Sequence, residues 1–435
     1  MLPHPLTALR RLMLVGLVAA LVAPPVVGTS TGRYQAGLAT GDSLTFYGRG
    51  YGHGVGMSQY GARGRALVGH TATQILAHYY PGTILGTVAT TSSVRILVLS
   101  NFKPTATAPA RFYGRKGPWT IDGISATFPV DALLRVAPPV APSTLWRLYV
   151  TAPDGSVLLR TTSSSGFRMR PASSATRLQV WSRPSTYDTY RGTVRVLLRS
   201  TGLLTAINET TLELYLRGVV PAEMPYTWPT EALRAQAIAA RSYAARRLHP
   251  ATGSYDVTDT TSSQMYLGVL AEKSATTAAI TATAGKVVRS GNAIANAVFH
   301  SDAGSGTENN ENVWTSASGA IVGSPVSYLR GAADRNASGA PYDAGAPHAT
   351  WKTATYTLEQ LSAFFSEDPR TDVGDLASID LSRRGVSGRL ISVTLNGSTG
   401  AKTVSGEVFR SIFNTRSPAT DPAMWSTLFD VAPIP

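Results

Sequence analysis

The sequence predicts a mixed α/β (α+β) fold with a β-rich insertion, and three observations carry that expectation. Between Val94 and about Arg199, short β-branched and aromatic runs alternate with turn residues, the texture of paired strands. From about Leu203 onward, segments with apolar residues at helical spacing alternate with strand-like runs. Ahead of both, Thr31 to about Thr91 is glycine-rich and leads into helix-like stretches.

At the start of the chain, Arg10 and Arg11 precede an apolar run from Leu12 to Ala23, followed by Pro24-Pro25 and small residues up to Gly28-Thr29. That run is shorter than the roughly 20 apolar residues that span a bilayer, so residues 1–28 read as an export signal. A retained membrane anchor is the alternative, because cleavage sites are weakly specified, and the Arg pair alone does not argue for a twin-arginine route. Residues 29–93 form the glycine-rich segment, with Tyr47-Gly-Arg-Gly-Tyr-Gly-His53-Gly-Val-Gly-Met-Ser58-Gln59-Tyr60-Gly-Ala62 at its centre. So many glycines imply positive φ angles and close approach to a ligand or a neighbouring element. Thr71 and Gln74 have capping-box spacing, and Pro81-Gly82 ends that helix.

Residues 94–199 form the β-rich insertion or subdomain. Val94–Leu99, Trp146–Val150, Val157–Arg160 and Val194–Leu198 are its clearest strands, and Pro153-Asp154-Gly155 is a hairpin turn. Residues 200–435 form the third part. Thr230 is placed to cap a helix from Glu231 to about Leu248, with Leu233, Ala237, Ala240, Ala244 and Leu248 on one face. A second helix runs around Ala271 to Ala284 and stops at Gly285, and a third begins at Thr357, whose Gln360 completes another capping box.

Composition bounds the function. A chain of 435 residues with 43% hydrophobic content can bury one large or two ordinary cores. It has no cysteine, which excludes thiol catalysis, thiolate metal sites and disulfides. The formal net charge of +13 favours anionic surroundings such as wall polymers or a membrane face. No aromatic and basic interleaving points to nucleic acid. Part of the basicity reflects arginine usage, since only six of the 39 basic residues are Lys.

Glu223 is the most informative residue. It stands in Leu216-Arg217-Gly218-Val219-Val220-Pro221-Ala222-Glu223-Met224-Pro225, a carboxylate between two prolines in an apolar loop that opens into the long helix. A carboxyl removed from water has a raised pKa and can deliver a proton to a leaving group near neutral pH. The bland reading is that it bonds backbone amides at its turn.

The stretch from Leu212 to Ala245, with its Val-Val-Pro-Ala-Glu-Met-Pro, Trp-Pro-Thr-Glu-Ala-Leu and Ala-Gln-Ala-Ile-Ala-Ala-Arg-Ser-Tyr-Ala, closely resembles the SpoIID/LytB family of peptidoglycan-acting proteins. Further matching pieces are Thr261-Ser-Ser-Gln264-Met-Tyr266-Leu-Gly268, Phe299-His300-Ser301 with Thr307-Glu308-Asn309, Val404-Ser405-Gly406 with Arg410, and the Gly-His53-Gly-Val-Gly-Met-Ser-Gln-Tyr-Gly-Ala stretch. The resemblance implies a SpoIID-like catalytic core acting as a lytic transglycosylase. Such an enzyme cleaves between N-acetylmuramic acid and N-acetylglucosamine of glycan strands stripped of stem peptides and leaves a 1,6-anhydro end. It also offers an alternative, a noncatalytic wall-binding enhancer of a cell-wall amidase. A third reading, hydrolysis, needs a second carboxylate, for which Asp256, Asp259, Asp302, Glu308 and Glu311 are available.

The family's catalytic glutamate falls on Glu223. Arg241 follows on the next helix, where the family carries a cleft arginine; a structural salt bridge is the alternative. Gln264 and Tyr266 are candidates to bond or stack on sugars, or else a strand-edge and a core residue. His300 and Ser301 are candidate wall residues. His53, Ser58, Gln59 and Tyr60 are candidates on a ligand-facing loop, the alternative being helix packing through Gly56, Gly61 and Gly64. Some relatives bind zinc with cysteine and histidine, which this chain cannot do, and His53, His70, His78, His249, His300 and His348 show no strong metal-ligand spacing. No metal or cofactor is expected. The expected partners are glycan strands, anionic wall polymers and an amidase, and the expected location is the cell wall. One departure matters: in the usual family order the Gly-His-Gly stretch comes last, and here it comes first. The chain is therefore expected to be circularly permuted, with the strand near Ser43–Tyr47 beside Trp425–Asp430.

Overall fold

The computed structural model describes residues 38–249 and 252–434. The expected export signal at residues 1–28 lies outside the described residues. Among those that are described, the architecture is mixed α/β, with many strands and eight α-helices. No described helix is long and apolar enough to cross a membrane.

Most of the β-structure lies in two sheets. One has seven strands in the order Val257–Thr258, Ser93–Phe102, Leu204–Thr211, Thr193–Leu198, Gly166–Pro171, Trp119–Ile121 and Thr127–Phe128. The other has six, in the order Val157–Ser163, Trp146–Thr151, Leu133–Ala137, Ala110–Arg115, Arg177–Gln179 and Thr189–Tyr190. Strict alternation of buried and half-buried residues in Trp146–Thr151 and Thr193–Leu198 puts one face of each strand inward. The hairpin expected at Pro153-Asp154-Gly155 is present, with Gly155 at φ 88°.

The β-rich segment shares its core with the helices of the third part. Ile96, Phe112, Trp146 and Val196 belong to the same buried cluster as Tyr215, Leu216, Val219, Ala237 and Ala240. The link is direct: strand Leu204–Thr211 runs into helix α3 (Leu212–Glu223), whose N-cap Thr211 accepts from the Leu214 N–H.

Before α3 come α1 (Gln59–Leu67) and α2 (Ala72–Tyr79), and after it α4 (Thr230–Ala245) and α5 (Ser274–Ala282). The capping box of Thr71 and Gln74 forms on α2 with both reciprocal bonds. The structure corrects two expectations. Thr230 is the first helical residue rather than the cap; Pro229 occupies that position, and its carbonyl accepts from Ala232 and Leu233 N–H. The helix expected from Ala271 to Ala284 splits into a 3-10 turn, Gly268–Ala271, and α5.

A separate buried cluster gathers Phe46, Tyr356, Phe365, Val393, Phe409 and Phe429. It packs α7 (Leu358–Ser366) and α8 (Gly406–Arg416), which come after the single turn α6 (Asn310–Val313). Thr357 and Gln360 form the expected capping box on α7. Strand Ser43–Gly48 pairs with Trp351–Thr357 on one side and with Phe429–Asp430 on the other, Tyr47 opposite Asp430. The juxtaposition expected of Ser43–Tyr47 and Trp425–Asp430 is therefore present.

Candidate active site

Glu223 is not in a loop: it is the last residue of α3. Pro221 sits inside the final turn and Met224 closes it through its N–H to the Val220 carbonyl. Pro221 removes the backbone donor that the Arg217 carbonyl would accept in a regular helix. The loop around 261–268 docks there, with Leu267 N–H donating to the Gly218 carbonyl. Gly218 makes room for it: a Cβ at that position would lie 2.7 Å from the Tyr266 ring.

The same loop holds the carboxyl. Met265 N–H donates to Glu223 Oε1 at 2.8 Å, which leaves Oε2 to carry a proton. Burial pushes the Glu223 pKa up; the Met265 N–H and the side chain of Gln59 oppose that rise without cancelling it. Gln59 Nε2 is buried and has no partner at hydrogen-bond length among the described residues, so its approach to the carboxyl is loose. It is free to take another acceptor.

Glu223 opens on a cleft of about 670 Å³. Its lining draws on Tyr51, Gly52, His53 and Gln59, on Tyr243, Arg247 and Thr261–Ser263, and on Asn296, Val298–Ser301 and the exposed Trp314. Strand Phe299–His300 lies parallel to Met57–Ser58, and this pairing brings the glycine-rich segment to the site. Gly56 permits it, at φ 71° with its missing Cβ only 2.2 Å from the Val298 carbonyl. Such a backbone leaves room for nothing larger than glycine.

The two imidazoles are neutral wall residues. His53 Nδ1 accepts from Val55 N–H, so Nε2 carries the hydrogen donated to the Phe299 carbonyl. Burial and the Arg389 charge lower its pKa to about 4. His300 Nδ1 donates to the Val55 carbonyl, leaving Nε2 as a buried acceptor with no partner among the described residues. Burial and the neighbouring His53 hold His300 well below the usual imidazole range.

Of the residues singled out by sequence, Glu223, His53, Gln59, His300 and Ser301 line the cleft together. The others are elsewhere, each for a visible reason. Ser58 is fully buried and caps α1 by accepting from Gly61 N–H. Tyr60 packs edge-on against Trp228, ring centres 4.7 Å apart. Gln264 is buried between the Tyr215 hydroxyl and the Ala240 carbonyl. Tyr266 is a core residue, its hydroxyl donating to Asn208 and its ring stacked on Tyr190.

Arg241 is corrected from cleft to core. It is fully buried, pairs with both oxygens of Glu213 at 2.8 Å, and donates to the carbonyls of Ala237, Ile280 and Lys286. The cleft face of the helix belongs instead to Tyr243, which is about 200° of helical turn from Arg241, and to Arg247 just past the helix end. Tyr243 and Arg247 stand at i, i+4 spacing, a signal present in the sequence. Trp314 and Tyr51, both more than two-fifths exposed, carried no comparable signal.

Among the described residues lining the cleft, Glu223 is the single carboxylate. Every other candidate is engaged: Asp256 by Arg95, Asp259 by Arg183, Glu311 by Arg330. Glu308 accepts from the N–H groups of Asn309, Val386 and Ser387. Asp302 is buried beside Asp343 and bonded to Gly304 N–H. No group of three or more metal-ligating side chains occurs among the described residues.

Similarity to known proteins concentrates on this part of the chain. Residues 200–289 match the family model SpoIID, described as stage II sporulation protein. The chain is 41% identical over 101 residues to an amidase enhancer of Bacillus subtilis, covering 23% of this chain and 14% of that protein. It is 56% identical over 43 residues to stage II sporulation protein D of Bacillus subtilis, and 52% identical over 42 residues to that of Bacillus amyloliquefaciens, each match covering 10% of this chain and 12% of the relative. The matched segments thus span only a small part of these relatives. Residues 200–289, the segment similar to the SpoIID family model, carry Glu223 at the end of α3 and the loop that holds its carboxyl.

Proposed function

We propose that the protein is a peptidoglycan lytic transglycosylase working outside the cytoplasm at the cell wall. The observation that carries this reading is a buried carboxyl, raised in pKa, that is the single carboxylate among the described residues of its cleft. Protonated Glu223 donates its proton to the glycosidic oxygen as the C1–O bond breaks. The resulting carboxylate then takes the proton of the muramoyl C6 hydroxyl as that oxygen closes onto C1. The proton returns to Glu223, no water is consumed, and the product is a 1,6-anhydro end. Hydrolysis by either common route would need a second carboxylate facing the same bond. Gln59 Nε2 and His300 Nε2, both without partners in the described residues, supply a donor and an acceptor for sugar hydroxyls, and the exposed Trp314 offers a face for a pyranose.

A second reading rests on the amidase enhancer among the relatives. In that role the cleft and the +13 charge would hold wall polymer for a separate amidase without cutting it. The circular permutation belongs to the same proposal, and the pairing of Ser43–Gly48 with Phe429–Asp430 supports it. Mass spectrometry of purified glycan treated with wild type and Glu223→Gln separates the readings. Anhydro ends lost by about 10²- to 10⁴-fold in the variant support the transglycosylase. Reducing ends would mean hydrolysis, and uncut glycan with either protein would mean binding alone.

A further inference from the structure

Arg247 is the one cation among the described residues of the cleft lining at neutral pH, because the two histidines are neutral. Several sheltered arginines elsewhere in the fold pair with carboxylates: Arg65 with Asp334, Arg95 with Asp256, Arg241 with Glu213. Arg247 has neutral partners only. Its Nη1 donates to the Tyr243 carbonyl and to Asn296 Oδ1, and its guanidinium lies 3.4 Å from the centre of the Tyr243 ring. Among the described residues nothing accepts from Nε or Nη2. That edge is the fork with which arginine takes both oxygens of a carboxylate.

The lack of a partner is not relieved from within the site. Among the described residues no hydrogen bond or ion pair joins Glu223 to Arg247. A cation fixed in place by Asn296 and Tyr243, partly desolvated and without a counter-charge, is matched to an anion that arrives with the ligand. On the reading that the ligand is peptidoglycan glycan, the sugar chain carries one kind of carboxylate, the 3-O-lactyl group of N-acetylmuramic acid. It is free only when no stem peptide is attached, since the peptide bond converts it to a neutral amide.

We infer that Arg247 is a specificity-determining residue that binds the lactyl carboxylate of peptide-free N-acetylmuramic acid. That contact is how this chain would tell the peptide-free strand implied by the resemblance from a peptide-bearing one. The inference rests on the glycan reading, and the test separates the two. Calorimetric titration uses Glu223→Gln protein, which avoids turnover, with two probes: a tetrasaccharide of alternating N-acetylglucosamine and N-acetylmuramic acid, and the same molecule with each lactyl carboxyl capped as its methylamide. The free acid should bind about 10- to 100-fold more tightly than the capped form, the worth of a charge-assisted bidentate pair. Adding Arg247→Gln should remove that gap while leaving the capped probe's affinity unchanged, and Arg247→Lys should restore part of it. Equal binding of the two probes, a gap that survives Arg247→Gln, or equal weakening of both probes by that substitution would each overturn the inference and leave the glycan reading standing. Failure of both probes to bind would overturn the glycan reading itself.

Discussion

Replacing Arg241 tests whether it belongs to the core or to the chemistry. Its five N–H donors meet five acceptors: two oxygens of Glu213 and the carbonyls of Ala237, Ile280 and Lys286. Arg241→Met fills the volume but takes a donor from three carbonyls, of which that of Ile280 keeps Thr283, and leaves Glu213 with the single N–H of Gly285. Breaking a buried pair from one side costs about 3–5 kcal/mol. Glu213 is 18% exposed, so water recovers part of its solvation and the lower figure of about 3 kcal/mol is expected. Arg241→Lys should recover little, because one ammonium cannot span the same acceptors. The double variant Arg241→Met/Glu213→Gln removes both charges and should regain at least half of the loss. Urea unfolding followed by tryptophan fluorescence measures all three. An Arg241→Met protein that unfolds at the wild-type midpoint yet no longer cuts glycan would refute the structural assignment and return Arg241 to the site.

Three further outcomes are expected. Because burial raises the Glu223 pKa, both states are protonated below the unfolded value and the folded state alone is penalised above it; stability is therefore lost as pH rises through the raised pKa. Glu223→Gln should melt higher than wild type at pH 7–8 and equally near pH 4, and an equal difference at both would contradict the burial argument. His53, lowered to about 4, makes the opposite contribution: its stability is present above about 6.5 and is lost as pH falls toward 4. Its ring carbon shift in NMR should stay that of a neutral imidazole from pH 8 to 5, and titration near 6.5 would show that the ring is not sheltered. Gly56→Ala puts a methyl 2.2 Å from the Val298 carbonyl at a positive φ and should cost roughly 2 kcal/mol or more, with loss of glycan binding as Gln59 moves. Unaltered melting and binding would mean that the close approach is dispensable.

Sequence reading went furthest where local chemistry decides. The capping boxes at Thr71 and Thr357 and the strand runs at Val94, Trp146 and Val194 depend on near neighbours in the chain, and all are present. It also found Glu223, because a carboxylate among prolines and valines is chemically out of place. For Arg241, Gln264 and Tyr266 it left a site role and a structural role open, and the structure puts all three inside, since a polar side chain in a motif reads the same whether it faces a ligand or a buried partner. For Arg241 and Tyr266 the answer depends on Glu213 and Asn208, 28 and 58 residues away respectively. Arg247 went unnoticed for the converse reason. Its significance lies in a missing counter-charge, and that is visible only when the surroundings are assembled.

The pairing of Ser43–Gly48 with Phe429–Asp430 has a temporal consequence. α3, its docking loop and Glu223 are complete once residues up to about 290 have emerged. The wall bearing Tyr51 and His53 is not: Arg49, Gly52 and Tyr47 take bonds or register from Leu428, Trp425 and Asp430. On the reading that Glu223 is a proton donor, a chain that lacks residues 425–430 holds that group beside an incomplete groove. The pairing at 425–430 then acts as a latch on the site. A chain ending at Ala423 should keep the fluorescence of a folded β-rich core and bind no glycan; full binding by that truncated form would show that the latch is not needed.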